Sequence, residues 1–223
     1  MKKMLILITI LLIIFIGLLI YRTNEKEAEI KVDEINRIEK YMEKIYGWKE
    51  ITTQALPEFD DINNVDEKWI WGALRENIED NVIEYETIEK TKKELFGNNF
   101  TKEYPKEGTE FIAYDEQSGK YKIKEINLDA IKDAFLINKI EKNPKGYDLE
   151  IVEYQVDYTI SDNEKIKVKN TNDEDIYELT EEEATDGNIQ KVVKENIEKF
   201  TKKQVKLEKE NDKIFIKSVA LKN

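Results

Sequence analysis

The sequence predicts an α+β protein: an N-terminal transmembrane helix, then helices packed on a curved antiparallel sheet. Three observations carry this reading. Residues 4–20, MLILITILLIIFIGLLI, form an apolar run with no charge inside it, behind Lys2 and Lys3. Apolar residues then recur at helical spacing as far as Phe96, and beyond Pro105 the period changes to two.

Extended by Tyr21, the apolar run makes a helix of roughly 27 Å, close to the hydrocarbon thickness of a bilayer. A cleaved signal peptide is the rival. The flank Tyr21-Arg22-Thr23-Asn24-Glu25-Lys26 offers no small-x-small cleavage site, so the segment is predicted to stay as a signal anchor. The chain then divides into a short cytoplasmic tail (1–3), the anchor (4–21), a membrane-proximal amphipathic helix (22–47) and an α+β domain (48–223). Lys2 and Lys3 on the short tail favour the amino terminus in the cytoplasm, which leaves the large domain extracellular on a single-pass protein of the cell membrane. The opposite orientation, with a cytosolic domain, is the competing reading.

Composition limits the chemistry. With 36 basic and 48 acidic side chains, the net charge is -12 and the isoelectric point about 4.8, the wrong mean sign for nucleic acid. The absence of His and Cys removes the usual general base, the commonest transition-metal ligand and the thiol nucleophile. Only 3 Pro and 8 Gly leave little room for linkers, so the soluble part is read as one domain.

In order along the chain, residues 25–46 carry Ala28, Ile35, Ile38, Met42 and Ile45 on one helical stripe, with Gly47 to end it. That stripe either packs on its own domain or dimerises the protein as a coiled-coil stalk, whose heptad Lys31 interrupts. Residues 48–63 read as a connection. A second helix opens at Asn64, with Glu67 in capping-box position, and carries Trp69, Ile70, Ala73, Leu74 and Ile78. A third covers residues 82–96, stopped by Gly97.

Strands follow. Residues 110–114 and 120–126 form a hairpin, and residues 135–140 pair with a long strand over 147–160 across Asn143-Pro144-Lys145-Gly146. In that long strand the apolar alternation Tyr147, Leu149, Ile151 slips by one and resumes as Val152, Tyr154, Val156, Tyr158, Ile160, which predicts a bulge at residues 151–153. Further strands are expected at 166–168 and 176–179, a helix at 188–200, and a last pair joining 205–207 to 214–221.

Helices first, then a long bent sheet containing GYDLEIVEYQVDY, behind one anchor, resembles the NTF2-like or cystatin-like domains of membrane-anchored extracytoplasmic proteins of Gram-positive bacteria. The resemblance covers residues 48–221, and the helix at 188–200 departs from its minimal form. It implies an envelope binding or scaffolding protein without catalysis. It also implies two alternatives: a ligand-binding or enzymatic domain using the concave face of the sheet, or a subunit similar to the VirB8-type components of secretion and conjugation channels.

Candidate sites are few. No catalytic residue, metal ligand or cofactor is expected. Asn170, Asn172, Glu174, Glu178 and Glu181 have the spacing of a calcium loop but lack its leading Asp and its Gly, and Asp60, Asp61, Asn63 and Asp66 form a second acidic group. Both are read as solvated loops. Ser118 with Lys120 or Lys122 is read as a turn serine rather than a dyad. Trp48, Trp69, Trp71 and the tyrosines of the strands either fill the core or line a ligand pocket or interaction face; Trp69 and Trp71 cannot both face inward on one helix, so one of the pair is expected to be exposed at an edge, and both are partner-binding candidates. The expected partners are the membrane and another envelope protein, with a homodimer through the membrane-proximal helix as a further expectation.

Overall fold

The amphipathic stripe of the first helix finds its partner in the chain's own sheet. In the computed structural model, which describes residues 30–46, 55–124, 130–159 and 165–222, helix α1 spans Val32–Tyr46 and buries Ile38, Tyr41, Met42, Ile45 and Tyr46. The anchor segment 4–21 and Trp48 lie outside the described residues. Among the described residues, no helix is long and apolar enough to cross a membrane.

The second helix starts later than Asn64. Asp61 caps a short 3-10 turn over Ile62–Asn64, and Asp66 caps α2, Glu67–Glu76, by accepting from the Lys68 N–H at 2.7 Å. Strand β1, Val82–Ile83, precedes α3, Tyr85–Phe96. The predicted helix over 82–96 is therefore shortened. Its two β-branched leading residues pair instead with Lys122 and Tyr121, and Gly97 at φ 78° ends it with the Phe215 ring against its Cα.

Strands β2, Ile112–Asp115, and β3, Lys120–Ile123, are the expected first hairpin, and with β1 they form a small sheet in the order β1-β3-β2. The main sheet holds β4 (Ile131–Asn143), β5 (Gly146–Asp157), β6 (Lys165–Lys169), β7 (Asp175–Thr180), β8 (Thr201–Glu210) and β9 (Lys213–Leu221), all antiparallel. Helix α4, Asp186–Glu195, ends before a 3-10 turn at Ile197–Lys199. These elements confirm an α+β chain whose helices pack on an antiparallel sheet.

β5 organises the sheet. β4 runs along one side of it; on the other, β8 pairs with Gly146 to Glu153 and β6 with Gln155 to Asp157. β6 and β8 are thus one strand line, interrupted by an excursion over residues 170–200. The excursion is closed at its base by a hydroxyl contact between Thr171 and Thr201.

The predicted bulge in β5 is corrected. β5 is paired without a slip on its own side; the irregularity sits in β4, between Ile137 and Lys139. Apolar parity changes because the core changes sides. Tyr147, Leu149 and Ile151 face a core built with α1, α2 and α3, whereas Val152, Tyr154 and Val156 face a second core under α4, with Val168, Val193 and Phe200. A regular strand presents alternate residues to opposite faces, so covering opposite faces at its two ends produces the slip.

Two contacts set the direction of α1. The Tyr147 hydroxyl donates to Glu34 at 3.1 Å near the start of β5, and the Tyr46 hydroxyl donates to Glu153 at 3.0 Å towards its end. α1 therefore runs alongside β5, with its N-terminus beside the β4–β5 turn. Tyr41 fixes the packing by donating to the Leu95 carbonyl at 3.0 Å and accepting the Ile216 N–H at 2.6 Å. Its burial pushes the phenol well above its ordinary range.

Gly146 is dictated by the strand crossing. A Cβ there would meet the Leu207 carbonyl oxygen at 2.1 Å. Gly146→Ala is expected to destabilise at the upper end of roughly 1–3 kcal/mol, because β8 must move away from the turn; urea denaturation checks this.

Candidate functional site

The most unusual side chains lie on the α1 side of the sheet, where the apolar row of β5 ends. Beyond Ile151 the same face carries Glu153, Gln155 and Asp157. Glu153 is 1% exposed and accepts from the Tyr46 hydroxyl at 3.0 Å and the Leu56 N–H at 2.9 Å. Its second oxygen meets the buried Lys203 ammonium at 2.7 Å. Lys203 also donates to the Leu56 carbonyl, so this is a charge contact with imperfect hydrogen-bond alignment. Burial, with the Glu153 charge beside it, drives the Tyr46 phenol well above its usual range.

Asp133 lies across from Gln155 on β4 and accepts from its amide at 2.8 Å. Its other oxygen is buried without a hydrogen bond among the described residues. Burial pushes this carboxyl up, against the Gln155 bond and the Lys203 charge. Asp157 goes the other way. Burial pushes it up, but the Thr159 hydrogen bonds and the Lys169 ammonium at 2.9 Å outweigh that and hold it low.

Opposite pH behaviour follows. Asp157, depressed on folding, adds stability above its unfolded value near pH 4, and this is lost as pH falls through the lower folded value. Asp133, raised on folding, binds its proton more tightly in the native state, so its contribution weakens as pH rises above about 4. Asp157→Asn is expected to lose about 1–3 kcal/mol at pH 7, and Asp133→Asn to raise the urea midpoint there. A lower midpoint for Asp133→Asn would show that its charged form is required.

The arrangement has the residue types of a carboxylate base beside a phenol, but its groups are committed to one another. Glu153 is neutralised by Lys203 and anchored by a backbone N–H, the signature of a buried structural ion pair. Nothing in the sequence marks it, because Glu153, Gln155 and Asp157 simply alternate with apolar residues along β5.

Trp69 and Trp71 are both buried, at 1% and 3% exposure, which corrects the expectation that one of them is exposed. α2 is covered on two sides. Trp69 packs on Phe59 and Phe96 at ring-centroid distances of 6.3 and 6.1 Å, while Trp71 meets Tyr104 edge-on at 5.1 Å and Phe100 at 6.3 Å. Neither ring is exposed at the surface.

The acidic groups are also absorbed by local structure. The Asn170 side chain accepts from the Asn172 and Glu174 N–H groups and turns β6 into β7, while Lys169 and Lys167 engage Asp173 and Asp175 at 2.9 and 2.6 Å. Asp61 and Asp66 are caps. Among the described residues, no group of three acidic side chains is arranged to hold a metal ion. Ser118 is in the β2–β3 turn, and both neighbouring lysines are ion-paired, Lys120 to Glu84 at 2.8 Å and Lys122 to Asp115 at 2.6 Å.

A groove of about 550 Å³ lies between the β4–β5 and β8–β9 turns, with Tyr147, Lys145 and Lys209 among its lining residues. Comparison with protein-family models, with curated proteins and with solved structures finds no match.

Proposed function

We propose that the chain is a single-pass membrane protein whose α+β domain stands outside the cell and binds or scaffolds another envelope protein without catalysis. The observation that carries this is the filling of the α1-side face of the sheet. Where an NTF2-like enzyme or carrier keeps a cone-shaped pocket, α1 lays Ile38, Met42 and Ile45 with Trp69 into a continuous core. Glu153, fully buried there, is tied to Lys203. A small-ligand function on that face is the weaker reading.

A binding function needs a free surface, and β4 supplies one. Among the described residues it pairs with β5 alone. The Tyr158 N–H donates to the Ala130 carbonyl at 2.9 Å, so by the alternation of an antiparallel ladder the backbone groups of Ile131, Asp133, Phe135 and Ile137 point away from β5. Such an edge accepts an added strand, while the irregularity near Asn138 and Lys139 limits the stretch usable for pairing.

The likeness to NTF2-like and cystatin-like domains rests on the order of elements over residues 48–221, helices before a long antiparallel sheet, and on the run GYDLEIVEYQVDY. A VirB8-like channel subunit is a specific version of the same reading. A homodimer through the membrane-proximal helix would have to use the part ahead of Ile38, since the stripe from Ile38 to Tyr46 is buried.

The test is protease accessibility on intact cells, followed by photo-crosslinking from Lys132 and Lys139 on β4, with Lys191 on α4 as control. External digestion and a discrete adduct from β4, lost in Ile131→Pro, is the expected result. Proline at an outward-pointing N–H leaves the β5 ladder intact but blocks an added strand. A domain protected from external protease would overturn the assignment to the outside.

A further inference from the structure

The groove between the hairpin turns lies at the same end of the sheet as the N-terminus of α1. Glu34 accepts from Tyr147, which lines the groove, and Arg37 donates to the Asp212 carbonyl of the β8–β9 turn at 3.4 Å. Residues 22–31 separate the apolar run from α1. That length spans about 15 Å as a helix and at most about 35 Å extended, so the groove is tethered close to whatever bilayer holds the run.

The charges on its rim are unevenly used. Lys209 is exposed and has no ion-pair partner among the described residues. Lys145 reaches Glu208 only at 4.0 Å, with 82% of its side chain exposed. Two acids line the groove as well: Glu208 is the one beside Lys145, and Glu210 is engaged by the Asn99 amide at 2.9 Å, while Lys142 leans back to Glu34 at 3.4 Å. Two exposed ammonium groups thus line a cleft of about 550 Å³ on a chain of net charge -12.

Such a chain is repelled by an anionic bilayer unless its membrane-facing end carries local positive charge. Each lysine close to an anionic leaflet strengthens association by about fivefold. We propose that this groove holds the phosphodiester headgroup of an anionic phospholipid, with Lys145 and Lys209 on the phosphate and the domain docked by this end against its own membrane. The inference rests on the membrane-anchored reading above.

The experiment uses the full-length protein in nanodiscs of phosphatidylcholine alone or with phosphatidylglycerol, reading the rate of lysine acylation by mass spectrometry. Lys145 and Lys209 are expected to react at least about threefold more slowly in the anionic discs, with Lys191 on α4 unchanged. Equal rates in both discs, with the protein inserted, would overturn the headgroup site and leave the anchor standing. Equal protection by free glycerol phosphate in phosphatidylcholine discs would assign the groove to a soluble phosphoester and overturn the lipid. Failure of the chain to enter either disc would remove the anchored reading, and the proposal with it.

Discussion

Glu153→Leu is expected to remove about 3–5 kcal/mol of stability, the largest effect of any polar substitution in the chain. The variant leaves the buried Lys203 ammonium with the Leu56 carbonyl and the field of Asp133 but no carboxylate in contact, and deprives the Tyr46 hydroxyl and the Leu56 N–H of their acceptor. Lys203→Met is expected to cost a similar amount by stranding the carboxylate. The double variant should recover only part of the loss, because it removes the stranded charge but still leaves the Tyr46 hydroxyl and the Leu56 N–H without an acceptor. Urea denaturation of the four proteins, combined as a double-mutant cycle, gives the coupling directly. A single-variant loss below about 1 kcal/mol would mean that water reaches the pair, and would reopen this face as a ligand site.

What the sequence disclosed and what it hid follow from the same physics. The pairings 112–115 with 120–123, and β8 with β9, were legible because turn residues bracket short runs of period two. Helix starts were displaced: Asn64 and Glu67 have capping-box spacing, but Asp66 does the capping. The parity slip of β5 was visible and misread, since a bulge and a change of covered face leave the same one-residue signature. Only the position of α4 tells them apart, and α4 is far along the chain. The Glu153–Lys203 pair was invisible for a related reason. A polar residue on an alternating strand is taken to face water, and nothing local announces that Tyr46 and Leu56 will close over it. The groove, by contrast, joins two turns and an asparagine distant in sequence, which no motif could have brought together.

Trp71→Ala is expected to lose about 3–5 kcal/mol, as a large side chain removed from a filled core does. The ring sits at 3% exposure between Tyr104 and Phe100 and joins α2 to the segment leading into the small sheet. Trp71→Phe should be far milder, about 1–2 kcal/mol, because the indole N–H has no acceptor among the described residues and its removal orphans no polar group. The pair of variants separates packing from recognition. If the ring anchored a partner, both would weaken partner adducts from β4 while leaving the urea midpoint near that of the parent. If it is core, the midpoint falls in the order Ala then Phe, and a protein kept folded at low temperature retains the adduct. The burial of α2 on both flanks makes the second outcome the expected one, and it is why the binding proposal is placed on the β4 edge rather than on the tryptophans.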